Sequence, residues 1–118
     1  KARIVHKGAE PVVTLEEFSK NKIKVGTIVE AKFISGTAKL IQLRIDLGGG
    51  QIRQSVSAIS PQYAIDELFG KQVVVLTNVA PTKVHGALSE VMILAAVDND
   101  RISMLVPDRR VQNGTSII

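Results

Sequence analysis

Residues 40–47 read Leu-Ile-Gln-Leu-Arg-Ile-Asp-Leu, and this run decides the fold. Aliphatic side chains occupy every second position from Ile41 to Leu47, and polar side chains occupy the positions between them. A period of two sends the two sets to opposite faces of a strand, so the run predicts an antiparallel strand with one face in the core and one in water. Three glycines at 48–50 predict a hairpin loop, and residues 52–58 alternate in the same way as a partner strand.

Upstream of this hairpin, the sequence predicts a tail, a short helix and a long first strand. Residues 1–13 have no sustained period and are expected to be a tail or linker, with the folded domain spanning 14–118. Thr14 and Glu17 have the spacing of a capping box, so a helix is predicted over 15–20, with Leu15 and Phe18 facing the core. From Lys24 the period is two again, and one face of this strand carries Val25, Thr27, Val29, Ala31 and Phe33.

Downstream of the hairpin, a helix is predicted near 61–69, because Ser60 and Pro61 suit its start and Gly70 suits its end. Strands are predicted at 72–77 and 91–97, an irregular segment at 78–86, and a further strand at 102–106 that pairs back on 91–97. Five strands with a helix between the third and fourth predict an all-β, five-stranded OB-fold Greek-key barrel with a short N-terminal helix and a C-terminal extension of short strands. A small β-sandwich is the alternative, but it does not naturally place a helix at that point.

The composition excludes several classes of site. The chain of 118 residues is one domain without cysteine, which rules out disulfides and thiol nucleophiles and fits a reducing cytoplasm. Neither His6 nor His85 has a second ligand at metal-binding spacing, so no metal, cofactor or catalytic residue is expected. No apolar run reaches the roughly 18 residues of a membrane helix, and no signal peptide is visible. Because the chain starts at Lys1 rather than Met, it is expected to be processed or cut from a longer polypeptide.

Several stretches together resemble one known family. They are Lys-Val-Gly-Thr-Ile-Val-Glu-Ala at 24–31, the segments 37–48, 68–75 and 78–83, Ser-Glu-Val-Met at 89–92 with the strand after it, and Pro-Asp at 107–108 before Asn-Gly-Thr at 113–115. In order and spacing they resemble the tRNA-binding OB-fold domains of methionyl-tRNA synthetases and of stand-alone tRNA-binding proteins. The resemblance implies a non-catalytic domain of protein biosynthesis that binds tRNA and raises the tRNA affinity of an aminoacyl-tRNA synthetase.

A second branch of the same fold supplies the alternative function. The family usually has a glycine where this chain has Val91, and Ser-Glu-Val at 89–91 resembles an export-linked bacterial chaperone instead. That branch carries a Pro-rich turn after the first strand, whereas Gly-Thr-Ala-Lys-Leu at 36–40 is like the synthetase branch. The alternative is therefore a chaperone-like protein that binds extended peptides.

RNA binding needs cations at phosphate spacing and polar groups that meet a nucleotide. The predicted RNA-binding residues lie on the first three strands and in the loop before the fifth: Lys24, Lys32, Lys39, Arg44, Arg53, Ser57, Asn78, Lys83, His85 and Ser89. Arg53 is expected to share a strand face with Ser55 and Ser57. The alternatives are solvated outer-face charge, a turn role for Asn78 and a local backbone hydrogen bond for Ser89. Because Phe18, Phe33 and Phe69 look buried, recognition of tRNA shape and phosphates is expected, with little base stacking.

The family is typically homodimeric through the segment after the fifth strand. Apolar residues that a five-stranded barrel does not need supply the predicted dimer interface: Ile102, Met104, Val106, Val111 and Ile117. The alternative is that these residues cover the open edge of the barrel within one chain.

Overall fold

The computed structural model describes residues 10–118, so most of the predicted tail lies outside the described residues. The elements in chain order are α1 (Leu15–Ser19), β1 (Ile23–Phe33), β2 (Leu40–Asp46), β3 (Ile52–Ala58), α2 (Ile65–Leu68), β4 (Gln72–Leu76), β5 (Thr82–Val84), β6 (Ala87–Ser89), β7 (Met92–Ile93), β8 (Ala95–Asp98) and β9 (Arg101–Met104). No helix within residues 10–118 has the length and apolar character that crossing a membrane requires.

One antiparallel sheet with the strand order β3-β2-β1-β4-β7 forms the body of the molecule. Ile41, Leu43 and Ile45 of β2 have no exposed surface, and they pack in the core against Leu68 and Val75. The run that predicted a half-buried strand is therefore confirmed, and so is the OB-fold barrel built around it. The core is aliphatic, as a chain without Trp requires.

The predicted alternation along β1 is wrong beyond its first half, because the strand contains a bulge. The register with β2 shifts between Ile28 and Glu30, which leaves Val29 as the extra residue. Ile28 and Ala31 consequently both pack with the core, three positions apart, whereas Val25 is buried outside the main core cluster. Before the bulge β1 lies so close to β2 that a Cβ on Gly26 would stand 2.6 Å from Ile45 Cγ2, so this position needs a glycine.

Helix α1 has the predicted cap but not the predicted orientation. Glu17 N donates to Thr14 Oγ1 over 3.0 Å and Thr14 N donates to Glu17 Oε1 over 2.8 Å, so the capping box is confirmed. Leu15 is 88% exposed, however, and with Phe18 it lines a surface groove beside Ile117. The helix starts before β1 enters the barrel, so its apolar side chains do not reach the core.

Three further boundaries differ from the prediction. The second helix spans only Ile65–Leu68, because residues 60–63 form turns that let the Tyr63 hydroxyl accept a hydrogen bond from Met104 N over 2.9 Å. Residues 78–86 are not wholly irregular, since β5 and β6 form a hairpin across them. The predicted strand 91–97 is divided at Leu94, where the chain leaves β4 and pairs β8 with β9.

The barrel closes along a seam between β3 and residues 88–91, which we call the closing seam. Glu90 N donates to Gln54 O over 2.8 Å, and Gln54 N donates back to the Glu90 carboxylate over 3.0 Å. Two further bonds use side chains, from Gln54 Nε2 to Leu88 O and from Val56 N to Ser89 Oγ. Side-chain groups thus replace part of a regular ladder.

Residues 105–118, here called the C-terminal strap, run along β1 and β4 and form hydrogen bonds with the backbones of both strands. Val25 N donates to Thr115 O and Val74 N donates to Leu105 O. The Gln72 side-chain amide makes the two hydrogen bonds that a paired strand residue would make, since it donates to Val111 O and accepts from Val111 N. The strap therefore covers Val25 and Val74 and leaves the outward side of β1–β3 beyond the bulge open.

Candidate nucleic-acid interface

The outward side of β1, β2 and β3 carries two of the predicted cations, Lys32 and Arg44. In an antiparallel pair, directly opposed residues share a face, and the face that carries Ile41, Leu43 and Ile45 is buried. The residues between them therefore lie outside, which we call the outer face. It carries two cross-strand rows, Lys32–Gln42–Val56 and Glu30–Arg44–Gln54.

The positive charge of Arg44 is partly neutralised by the Glu30 carboxylate. Its Nε lies 3.6 Å from Glu30 Oε1, with about half of each side chain exposed. A surface pair of this kind contributes little to stability, roughly 0–1 kcal/mol, and is screened by salt. Within residues 10–118 the other ion pair joins Arg109 to Asp108, so neither involves Lys32 or Lys83.

The β5–β6 hairpin lies beside the outer face, and the two together line an open recess of about 570 Å³. We call this space the recess. The side chains that give it its chemistry come from β1, β2, β3 and the hairpin: Lys32, Phe33, Gln42, Gln54, His85 and Leu88. Two of the predicted RNA-binding residues, Lys32 and His85, are thus brought to one site from positions 53 residues apart.

His85 reaches the recess from a strained turn. Val84 pairs with Ala87, so His85 and Gly86 form a two-residue hairpin loop, with φ of 49° and 80°. Two central residues with positive φ are typical of a type I′ turn, for which Asn-Gly is the preferred pair. Positive φ is uncommon for residues other than glycine, with Asn, Asp and His the most frequent among them, and such residues cluster at functional sites.

Lys83 joins the same surface through its strand partner. It is exposed and lies directly opposite Leu88, which lines the recess. Opposed residues share a face of a hairpin, so Lys83 lies on the recess side of β5. The hairpin therefore adds one lysine and one imidazole to the outer face.

The side chains of two predicted residues form hydrogen bonds with backbone groups of the domain instead of lining the recess. Ser89 Oγ accepts from Val56 N over 3.1 Å in the closing seam. Asn78 uses both ends of its amide, since Oδ1 accepts from Lys22 N and Nδ2 donates to Lys20 O. Ser89 Oγ also donates to Val91 O over 3.4 Å, which is the local bond stated as its alternative. Asn78 ties the end of β4 to the segment between α1 and β1, so its role is more than that of a turn residue.

Four of the predicted residues lie away from the recess. Lys24 lines the groove between α1 and the strap, and exposed Lys39 lines a separate groove beside β8 and β9. Arg53 and Ser57 do share a face with Ser55, but it is the core-facing side of β3, where Ser55 is only 1% exposed. The three residues therefore share a strand face, as expected, but it is not the outer face.

Of the six side chains named in the recess, four were not among the predicted site residues: Phe33, Gln42, Gln54 and Leu88. Gln42 and Gln54 sit at the polar positions of their strands, so the alternation marks them as outward but does not say that they share a site. The prediction that Phe33 is buried is wrong, because it lies at the end of β1 and is 56% exposed. Phe18 and Phe69 are exposed as well. The expectation of little base stacking relied on these three rings being buried, and they are not.

The predicted dimer residues divide into two groups. Met104 is only 6% exposed and belongs to the core, and Ile102 packs against that core, so neither forms a free surface. Val106, Val111 and Ile117 are exposed along the strap. In the described part of the chain, no three His, Asp or Glu side chains are grouped as metal ligands.

A five-stranded barrel with an open outer face and a hairpin beside it defines a domain of the OB class, whose second and third strands and flanking loops bind oligonucleotides. The family described as "Putative tRNA binding domain" matches residues 23–116, and the chain belongs to this family. The assignment predicted from the sequence stretches is confirmed.

Similar proteins agree with this family. The methionine–tRNA ligase of Methanoregula boonei is 47% identical over 107 residues, which cover 91% of this chain but 16% of that enzyme. A solved MetRS-related protein from Pyrococcus horikoshii superposes with a TM-score of 0.85 at 30% identity and covers 92% of this chain and 100% of its own. The chaperone CsaA of Bacillus anthracis superposes with a TM-score of 0.82, also at 30% identity, with 92% and 100% covered. The chain thus spans about a sixth of the curated ligase it matches.

Proposed function

We propose that this chain binds tRNA, without catalysis, through the outer face and the β5–β6 hairpin. The observation that carries the proposal is the recess, where Lys32 and His85 meet beside Lys83. Lysines that take no part in an ion pair can release counterions when they meet phosphates, and this release supplies most sequence-independent affinity. Six of the predicted residues are not part of this proposed RNA contact: Lys24, Lys39, Arg53, Ser57, Asn78 and Ser89.

The buried position of Val91 is compatible with this use of the outer face. Val91 stands where the family usually has a glycine, and its side chain packs in the core with 1% exposure. It lies on the inner side of the closing seam, so it does not obstruct a ligand on the outer face.

The test is a paired charge removal in a filter-binding assay with tRNA. Lys32→Gln with Lys83→Gln should weaken binding and reduce the slope of log affinity against log salt by roughly 1.5, because each lost phosphate contact removes about 0.7–0.9. Lys20→Gln with Lys71→Gln removes the same charge elsewhere and should leave the slope nearly unchanged. Lys20 precedes β1 and Lys32 lies near its end, and the 11 residues of the strand separate them by roughly 30 Å. Equal losses in the two double variants would contradict the proposed site.

We also propose that the domain acts on behalf of the catalytic module of an aminoacyl-tRNA synthetase, namely a methionyl-tRNA synthetase, in the cytoplasm. A tethered binding domain raises the local concentration of tRNA near the catalytic site without new contacts there. In an intact synthetase, the Lys32→Gln, Lys83→Gln variant should therefore raise the KM for tRNA and leave amino-acid activation unchanged.

A homodimer through the strap is the second element of the proposal. Val106, Val111 and Ile117 expose apolar surface on the strap. Sedimentation at micromolar concentration should give a dimer, Val111→Asp should give a monomer, and Val97→Asp should remain dimeric because Val97 lies on β8. A monomeric wild-type chain would refute this part.

Peptide binding is the second candidate function, and one observation favours it. A mainly apolar cavity of about 360 Å³ lies inside the closing seam, lined by Val84, Val91, Met92, Ile93 and other residues. An extended peptide with an apolar side chain fits such a cavity better than a nucleotide does. An unfolded polypeptide that competes with tRNA, in a manner abolished by Ile93→Asp but not by the lysine pair, would favour this function.

A further inference from the structure

The C-terminal strap carries the one Asn-Gly pair of the sequence, Asn113-Gly114, in a turn over residues 112–115. Gly114 has a φ of 92°, and a Cβ there would stand 2.6 Å from Leu47 O. Both the positive φ and this close approach to the end of β2 require a glycine. The fold thus fixes a glycine directly after an asparagine.

An asparagine followed by glycine can lose its side-chain amide without an enzyme, because no Cβ on the glycine obstructs the reacting groups. A bond forms between Gly114 N and Asn113 Cγ, the bond from Cγ to Nδ2 breaks, and ammonia leaves with the amide proton of Gly114. Water then opens the cyclic imide at either of its carbonyls, which gives aspartate or isoaspartate.

In the folded domain both reacting groups are restrained. Gly114 N donates to Val25 O over 2.7 Å, so the proton that the reaction must remove is held in a hydrogen bond. Asn113 Oδ1 accepts from Thr27 Oγ1 over 2.7 Å and from Gln72 Nε2 over 3.1 Å, which fixes the side-chain amide against β1 and β4. The ring can close only after these contacts break, which requires the strap to leave the sheet.

We propose that Asn113 is a deamidation site that reacts only while the strap is detached, so that opening of the strap leaves a permanent chemical change. The two products differ once the strap returns. Aspartate keeps an oxygen acceptor for Thr27 and Gln72, so the strap docks again. Isoaspartate routes the main chain through the side chain and lengthens it, which moves Gly114 N away from Val25 O. The site goes beyond the proposed function, because RNA binding plays no part in it.

The first measurement compares the domain with the free peptide of residues 111–118, which has none of the contacts to β1 and β4. Both are incubated at the same mildly alkaline pH, the domain is then cleaved with trypsin after Arg110, and mass spectrometry gives the deamidated fraction of this peptide. The domain should deamidate at least roughly tenfold more slowly, because three hydrogen bonds of ordinary strength must break first.

Thr27→Val removes one of the bonds that hold Asn113 and keeps a β-branched side chain on the strand. It should speed deamidation of the folded domain by about 2- to 10-fold, the effect of one hydrogen bond. Thr37→Val is the matched control, because Thr37 Oγ1 also donates one bond, to Ile34 O over 2.9 Å in the turn after β1. This control should react at the wild-type rate. Thr27→Ser restores the hydroxyl and should also react as wild type does.

Hydrogen exchange of the Gly114 amide reports the opening without the modification. Its rate should rise in Thr27→Val by the same factor as deamidation, because both need the same opening. Equal deamidation of the domain and the peptide would overturn the proposal, as would equal rates in Thr27→Val and Thr37→Val. Faster deamidation with unchanged exchange at Gly114 would contradict it as well.

The products supply a separate readout. Chains with isoaspartate should exchange the Val25 amide faster than chains with aspartate, because Val25 N donates to Thr115 O only while the strap is docked. Equal exchange in the two products would refute the difference assigned to them. None of these measurements involves tRNA, so a failure of the proposed function would leave them unaffected.

Discussion

The turn at His85 and Gly86 allows stability and binding to be separated by one substitution, His85→Asn. His85 has a φ of 49°, where a residue with a Cβ loses roughly 1–2 kcal/mol relative to the right-handed region. Asn tolerates this conformation better and creates Asn-Gly, the preferred pair for this turn. We therefore expect His85→Asn to stabilise the domain by about 0.5 kcal/mol.

The expected shift in melting temperature follows from the size of the domain. For a chain of about this length, 1 kcal/mol corresponds to roughly 4 °C, so His85→Asn should raise the Tm by about 2 °C. His85→Val places a β-branched residue at positive φ and should lower the Tm by roughly 4–8 °C. Both variants remove the imidazole from the recess and should weaken tRNA binding by about 2- to 10-fold, the effect of one hydrogen bond.

Thermal unfolding followed by circular dichroism, with filter binding on the same samples, measures both effects. The contrast between the two variants is the control, because each loses the imidazole but only one relieves the backbone. If His85→Asn and His85→Val melt at the same temperature, the turn does not carry the strain assigned to it. If His85→Asn melts higher and binds tRNA as wild type does, the imidazole has no role in the recess.

Two further predictions concern the outer face and the closing seam. Glu30→Gln removes the ion-pair partner of Arg44 and should strengthen tRNA binding about two- to fivefold at low salt, with a smaller gain as salt rises. The control Glu16→Gln on α1 should not strengthen binding. An unchanged affinity of Glu30→Gln would show that Arg44 makes no contact with RNA. Ser89→Ala leaves Val56 N without its acceptor and should lower the free energy of unfolding by about 1–2 kcal/mol in urea titration, with Ser89→Thr close to wild type; an unchanged midpoint would mean that water replaces the hydroxyl.

The part of the fold that the sequence predicts well is the part with the strongest local pattern. The period of two in β2 and the capping box at Thr14 both specify structure through neighbours in the chain, and both are confirmed. The bulge at Val29 has no such signal, because pairing with β2 determines it. The exposure of Leu15 likewise depends on where α1 sits relative to the barrel mouth.

The site is less predictable than the fold, because its members meet through register and closure. Lys32 and Gln42 share a row only once β1 and β2 are paired beyond the bulge. Gln54 and Leu88 come together only when the barrel closes. Residue type selected Lys32 and His85, which line one recess, but it also selected Arg53, whose strand face turns inward.

The closing seam gives the barrel an uneven resistance to local opening. Between β2 and β3 a continuous backbone ladder holds the strands, whereas at the seam the Ser89 hydroxyl and the Glu90 carboxylate hold part of the contact. Segments held by fewer backbone bonds open at lower free energy than the rest of a domain. Because the hairpin that carries Lys83 and His85 is attached along this seam, we expect its amide hydrogens to exchange faster than those of the β2–β3 pair, with the aliphatic core still closed.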